Sequence, residues 1–206
     1  LLLTILYGLT GSLYSQTDVY LDIRHLMGAN SFAYNTSTSN NQGDIFQFTR
    51  MEYYISDITL TYDGGKDTTL EDLYILMKAE QVITPNFLGS FNINTLESVK
   101  LGIGVDTPAN HSDPSTYPFN HPLSFKAPSM HWGWNPGYRF IAIEGKSGVS
   151  LNQKFELHGL GDGNYYQIRI PTTATGDTSI KTIEINADYA RVLHNISVKS
   201  GVVAHG

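Results

Sequence analysis

Apolar and polar residues alternate from Val19 to Leu26 in "VYLDIRHL", with Val19, Leu21 and Ile23 on one face and Tyr20, Asp22 and Arg24 on the other. Period-two alternation marks a half-buried strand, and it puts His25 on the apolar face. The segment 45–67, "IFQFTRMEYYISDITLTYDGGKD", gives the strongest strand signal: β-branched and aromatic residues run into an Asp-Gly-Gly turn. Residues 70–79, "LEDLYILMKA", are apolar and short, so helix and strand both remain open. "SVKLGIGVD" (98–106) reads as a buried strand ending at Asp106.

A polar, Pro-rich connection with no apolar period fills 107–129. A loop that long inside a compact domain is usually functional or disordered. Beyond it "MHWGWN", "YRFIAIEG", "QKFELHGLGDG", "NYYQIRIP", "KTIEINADYARVLH" and "ISVKSG" predict further strands. Their spacing of roughly ten residues, with Gly-rich turns, indicates an all-β, antiparallel β-sandwich in a single domain. The opening "LLLTILYGLTGSLYSQTD" has an apolar stretch followed by small and polar residues, which reads over 1–16 as the end of an export signal. It is too short for a membrane span. Without an initiator Met or a charged leader the sequence reads as truncated at its start, and "VVAHG" reads as cut within an element. The domain then covers 17–206, and the mature protein is periplasmic or extracellular, at the outer-membrane surface.

Composition narrows the chemistry. A formal net charge of −6 argues against nucleic acid as the partner. The chain has no Cys, which removes disulfides, thiolate metal sites and cysteine nucleophiles. A metal here needs His, carboxylate, amide or carbonyl donors, and imidazole is the donor that suits copper or zinc.

Several histidines could supply it, each with a plainer reading. His25 is either a satisfied core imidazole or a ligand aimed into a cavity. Strict alternation turns His158 outward, while Gly159, Gly161 and Gly163 mark a turn or bulge that re-aims side chains. His111 is either solvated or held by Asp113, two residues on, in the manner of a carboxylate orienting a metal-bound imidazole. His121 reads as a solvated loop residue, and His194 and His205 have no supporting pattern. In "MHWGW", Met130 and the two tryptophans of the chain, Trp132 and Trp134, share one strand face, with His131 on the other. The plain reading of that face is an aromatic core slab. No nucleotide-binding, serine-hydrolase or His-Glu-x-x-His zinc motif is present.

The blocks "GDIFQFTRMEYYISDITLTYDGG", "LEDLYILM", "LGIGVD", "NHSDPSTYPFNHPLS", "MHWGWNPGYRFIAIEG" and "FELHG" resemble the MbnP-like family over residues 19–206, most specifically in M-x-W-x-W-x-x-GYRF. The resemblance implies a β-sandwich and an exported copper-binding protein, related to methanobactin-associated and methanotroph surface copper proteins. It implies copper as the cofactor, held by histidines and a tryptophan oxidised to kynurenine. It further implies a di-haem MauG-type partner enzyme and an outer-membrane receptor. Carried onto this chain, it selects His25, His158, His111 and His131 as metal ligands, Trp132 or Trp134 as the oxidised residue, and Asp113 and Met130 as supporting groups. His25 and His158 are then expected to converge beside the tryptophans. Family members near methanobactin operons carry cysteines after the His-Gly turn, and this chain has none. No turnover is expected of it. The rival readings are a metal-free structural, adhesive or carbohydrate-binding module, and a zinc hydrolase that lacks a well-placed base.

Overall fold

The computed structural model describes residues 16–80, 85–172, 174 and 179–206. The segment read as an export signal lies outside them, apart from Gln16, which directly precedes the first strand. Chain order runs β1 (Thr17–Met27), β2 (Asn30–Ser31), β3 (Thr38–Ser39), β4 (Ile45–Tyr62), β5 (Lys66–Leu70), β6 (Ile75–Lys78), β7 (Asn86–Phe91) and β8 (Leu96–Ile103). After the short helix α1 (Thr107–Asn110) come β9 (His131–Gly133), β10 (Gly137–Ser147), β11 (Gln153–Leu160), β12 (Tyr166–Pro171), β13 (Ile180–Asp188) and β14 (Val202–His205). The ambiguous segment at 70–79 resolves as β6, too short to nucleate a helix.

The strands form two sheets. The smaller holds β13, β1, β2 and β7, and the larger runs β12-β8-β4-β10-β11-β14 with four short strands attached to β4 and β10. This is the expected β-sandwich, with two exceptions to antiparallel pairing: β1 pairs β13 in parallel, and β11 pairs β14 in parallel. Alternation sorts the side chains. Val19, Leu21 and Ile23 of β1 face Phe48, Met51 and Ile55 of β4 and Phe155 of β11 in the core between the sheets.

The outer face of the large sheet carries a second core. Tyr54 of β4 and Tyr138, Phe140 and Ala142 of β10 pack with Leu123 of the long connection and with Val105 and Met130 at its two ends. That connection is therefore structural. The Tyr138 hydroxyl donates to the Leu123 carbonyl (2.5 Å) and the Tyr54 hydroxyl to the Pro122 carbonyl (3.1 Å). Each bond satisfies a polar tip whose ring is buried.

"ISVKSG", read from the sequence as a strand, is a turn. The Asp44 carboxylate accepts from the Ser197 hydroxyl (3.0 Å) and the amides of Val198 (2.9 Å) and Lys199 (3.1 Å), which folds the segment around one oxygen. The strand begins only at Val202.

Candidate metal site

On the outer face of the large sheet, register aligns Glu52 of β4, Ala142 of β10, His158 of β11 and His205 of β14. The adjacent row holds Arg50, Glu144 and Glu156. The two imidazoles lie stacked, with ring centres 4.7 Å apart and planes 9° from parallel. Trp132 covers both, at 4.7 Å from His205 and 5.8 Å from His158. The Arg139 guanidinium lies 4.4 Å above the Trp132 ring, a cation–π contact that pins the indole.

His158 thus turns outward, as strict alternation requires, and is buried all the same. Its side chain is only 4% exposed because Trp132 and His205 cover it. Its Nε2 lies 3.1 Å from Glu144 Oε1. Arg50 fixes that carboxylate with a 2.8 Å bond, and donates to Glu52 Oε2, the Ser129 carbonyl and the Met130 sulfur as well. With the Nε2 proton donated to Glu144, Nδ1 carries the lone pair, and this buried atom has no partner among the described residues. Burial holds His158 below its ordinary imidazole pKa, against the raising effect of Glu144. A neutral, carboxylate-oriented imidazole with an unspent lone pair is what a metal ligand requires.

His205 lies 3.9 Å from Glu156, whose pKa is held down first by its hydrogen bond to Lys154. His205 carried no expectation from the sequence. A signal was present in the echo of Leu157-His158-Gly159 by Ala204-His205-Gly206, which the parallel register lays side by side. The ring planes are nearly parallel, so their in-plane lone pairs do not converge on one point, and a ring must reorient for both to meet one ion. Among the described residues no group of three or more His, Asp or Glu side chains is arranged to hold a metal.

The remaining sequence candidates lie elsewhere. His25 belongs to the inter-sheet core, where its Nδ1 is 2.7 Å from the Tyr189 hydroxyl, itself 3.2 Å from Tyr53. No hydrogen bond or ring contact among the described residues joins it to His158, because β1 belongs to the other sheet and turns its apolar face inward. His111 pairs with Asp162 (3.1 Å), while Asp113 spends its carboxylate on the Ser115 amide (2.8 Å), capping the turn that opens at Pro114. His131 packs on Tyr138, with ring centres 5.0 Å apart. Met130 is buried beneath the long connection with its sulfur on Arg50.

The tryptophans do not share a face. β9 ends at Gly133, whose φ of 145° breaks the alternation. Trp132 therefore goes to the imidazole pair, while Trp134 lies beside His131 with ring centres 6.2 Å apart. Neither is a core slab, since Trp132 is 41% and Trp134 67% exposed.

A family model described as MbnP matches residues 16–205. Among solved structures, MbnP from Methylosinus trichosporium superposes with a TM-score of 0.56 at 14% identity, covering 92% of this chain and 81% of that one. At that identity the likeness speaks for the fold alone. No curated protein matches the chain.

Proposed function

The chain belongs to the MbnP family, and from that premise we propose that it is an exported protein that binds one copper ion at His158 and His205, beside Trp132. It takes up, stores or delivers the metal, and turns over no substrate of its own. The observation that carries this reading is the buried, unpartnered Nδ1 of His158, held in line by Glu144. An orphaned acceptor costs roughly 1–3 kcal/mol, which a bound ion would relieve. Two neutral imidazoles suit copper in either oxidation state, and the lack of thiolate speaks against a blue-copper electron-transfer centre.

Trp132 is the better candidate for a modified ligand, because it touches both imidazoles and remains accessible. As encoded, an indole N–H only donates. A kynurenine would offer a ketone oxygen and an aniline nitrogen in the same place. Its formation needs an external oxidant, the role assigned here to a di-haem partner, and an outer-membrane receptor would be the counterpart in transfer. Among the described residues no helix is long and apolar enough to cross a membrane. Release into the periplasm or onto the cell surface follows from the family reading.

Protein recovered from a copper-supplied periplasm is expected to carry close to one copper per chain by elemental analysis. His158→Ala and His205→Ala should each lower the affinity at least about tenfold, the usual scale for loss of a principal donor or its orienting group. His111→Ala and His131→Ala should leave it unchanged. Equal binding by wild type and both pair variants would refute the site.

A further inference from the structure

A separate open cavity of about 340 Å³ lies between the β5–β6 turn, the start of α1 and the loop that follows it. Its walls include Asp72, Tyr74, Asp106, Ser112, Tyr117 and His121, and no Lys or Arg. The His121 ring lies flat on Tyr117, with centres 4.5 Å apart and planes 9° from parallel, and the Tyr74 ring meets it at 60° with centres 6.0 Å apart.

The hydrogen bonds of the walls decide what the cavity offers. The Tyr74 hydroxyl donates to Asp106 Oδ1 (2.6 Å). The Ser112 hydroxyl donates to the Ala109 carbonyl (2.6 Å), so the Tyr117 hydroxyl is the donor to Ser112 Oγ (2.9 Å). His121 Nδ1 accepts from the Leu123 amide (3.1 Å), which puts the ring proton on Nε2. Burial, with Lys126 second, holds this imidazole below its ordinary pKa, so it does not oppose a cation. All three hydroxyl donors are therefore spent, and Nε2–H is the one side-chain donor left. What remains is acceptors: the Asp72 carboxylate, the Asp106 carboxylate, which also caps α1 by accepting the Ala109 amide (3.4 Å), with no basic wall residue to neutralise either, and the lone pairs of the phenols. An anion is repelled by this surface. A sugar, which needs donors as well as acceptors, is poorly matched. A bare metal ion gains nothing from aromatic walls, and no metal-holding cluster exists among the described residues.

We propose that this cavity binds a small organic ammonium ion, its charge between the Asp72 and Asp106 carboxylates and its carbon groups against the Tyr74, Tyr117 and His121 rings. Aromatic faces attract such cations through their quadrupole, and the volume is at the small end of ligand pockets, which begin at roughly 300 Å³. This site shares no residue with the imidazole pair and does not depend on copper.

The test uses the full chain titrated with tetramethylammonium and with choline, followed by calorimetry and by the aromatic proton resonances. Saturable binding is expected, with shifts at Tyr74, Tyr117 and His121. Asp72 has a φ of 55°, a left-handed conformation that Asn also adopts, so Asp72→Asn removes charge without straining the turn. That variant should keep the thermal midpoint and the copper stoichiometry of the wild type, and bind the cations at least about fivefold more weakly, the scale of a partly desolvated cation contact. Equal binding of 3,3-dimethylbutanol, the neutral isostere of choline, would overturn the proposal. So would equal affinity in Asp72→Asn, no saturable binding at all, or tighter binding of glucose.

Discussion

Asn110 is fully buried, and three polar groups depend on it. Its Oδ1 accepts from the Tyr138 amide (2.8 Å), and its Nδ2 donates to Asp162 Oδ1 (2.8 Å) and, at 3.4 Å, to the Pro136 carbonyl. Gly137 backs directly onto it with a φ of 73°, and a Cβ there would overlap both the Asn110 side chain and its backbone. Gly137→Ala should therefore lower stability by on the order of 2–3 kcal/mol, read from urea denaturation, the scale of a strained left-handed residue. Asp44 gives a pH prediction. Burial raises its pKa, but the Val198 amide, the Ser197 hydroxyl and the Lys199 amide outweigh that and hold it below the usual carboxylate value. A depressed folded pKa means a contribution that is complete above the unfolded value near 3.9 and is lost as pH falls through the folded one. Asp44→Asn should accordingly be less stable than wild type at pH 7, with the gap closing below about pH 4. Neither residue stood out in the sequence, because a buried Asn and a loop-capping Asp read locally as ordinary turn formers.

The strands themselves were far more legible. Alternation in β1 gave its inward face, since Val19, Leu21 and Ile23 are buried where the pattern put them, and the β-branched and aromatic run marked β4 as a strand up to its Asp-Gly-Gly turn. Phe155→Ala, in the middle of that core, should cost about 3–5 kcal/mol in chemical denaturation. What alternation could not give is which strands become neighbours, because the period fixes a face and leaves the pairing open. Alternation put His25 on the inward face and, taken strictly, His158 on the outward one, while their expected convergence fails because the two faces belong to different sheets. β9 adds a second lesson. Three residues ending in a Gly at φ 145° cannot carry a period, so the step from Trp132 to Trp134 was read as one face and is in fact a divergence. That divergence is testable: Trp132→Phe should weaken copper binding or change its spectrum, whereas Trp134→Phe should leave both intact. Peptide mass spectrometry of native-source protein should find one oxygen gained and one carbon lost at Trp132 and not at Trp134. Protein made without the proposed di-haem partner should be unmodified at both.

At the scale of the molecule, fold class follows from strand spacing and turn chemistry, and the family from the blocks around "MHWGW". The two parallel pairs did not, since each joins strands far apart in sequence whose pairing no local signal records. Among the described residues, a chain ending at Gly201 would lack β14 and nothing else of the large sheet. It should remain folded by circular dichroism, because Val202 alone of β14 packs against a core, and it is only partly buried. It should also bind copper no better than His205→Ala.

The order of the pair along the chain has a consequence for timing. A polypeptide that folds as it emerges N-terminus first presents His158 well before its stacked companion His205. If the pair holds copper as proposed, the half-formed site is a weak trap, so metal met early is let go, and firm capture waits until β14 docks against β11. Loading would then act as a proofreading step, with chains terminated before β14 left empty.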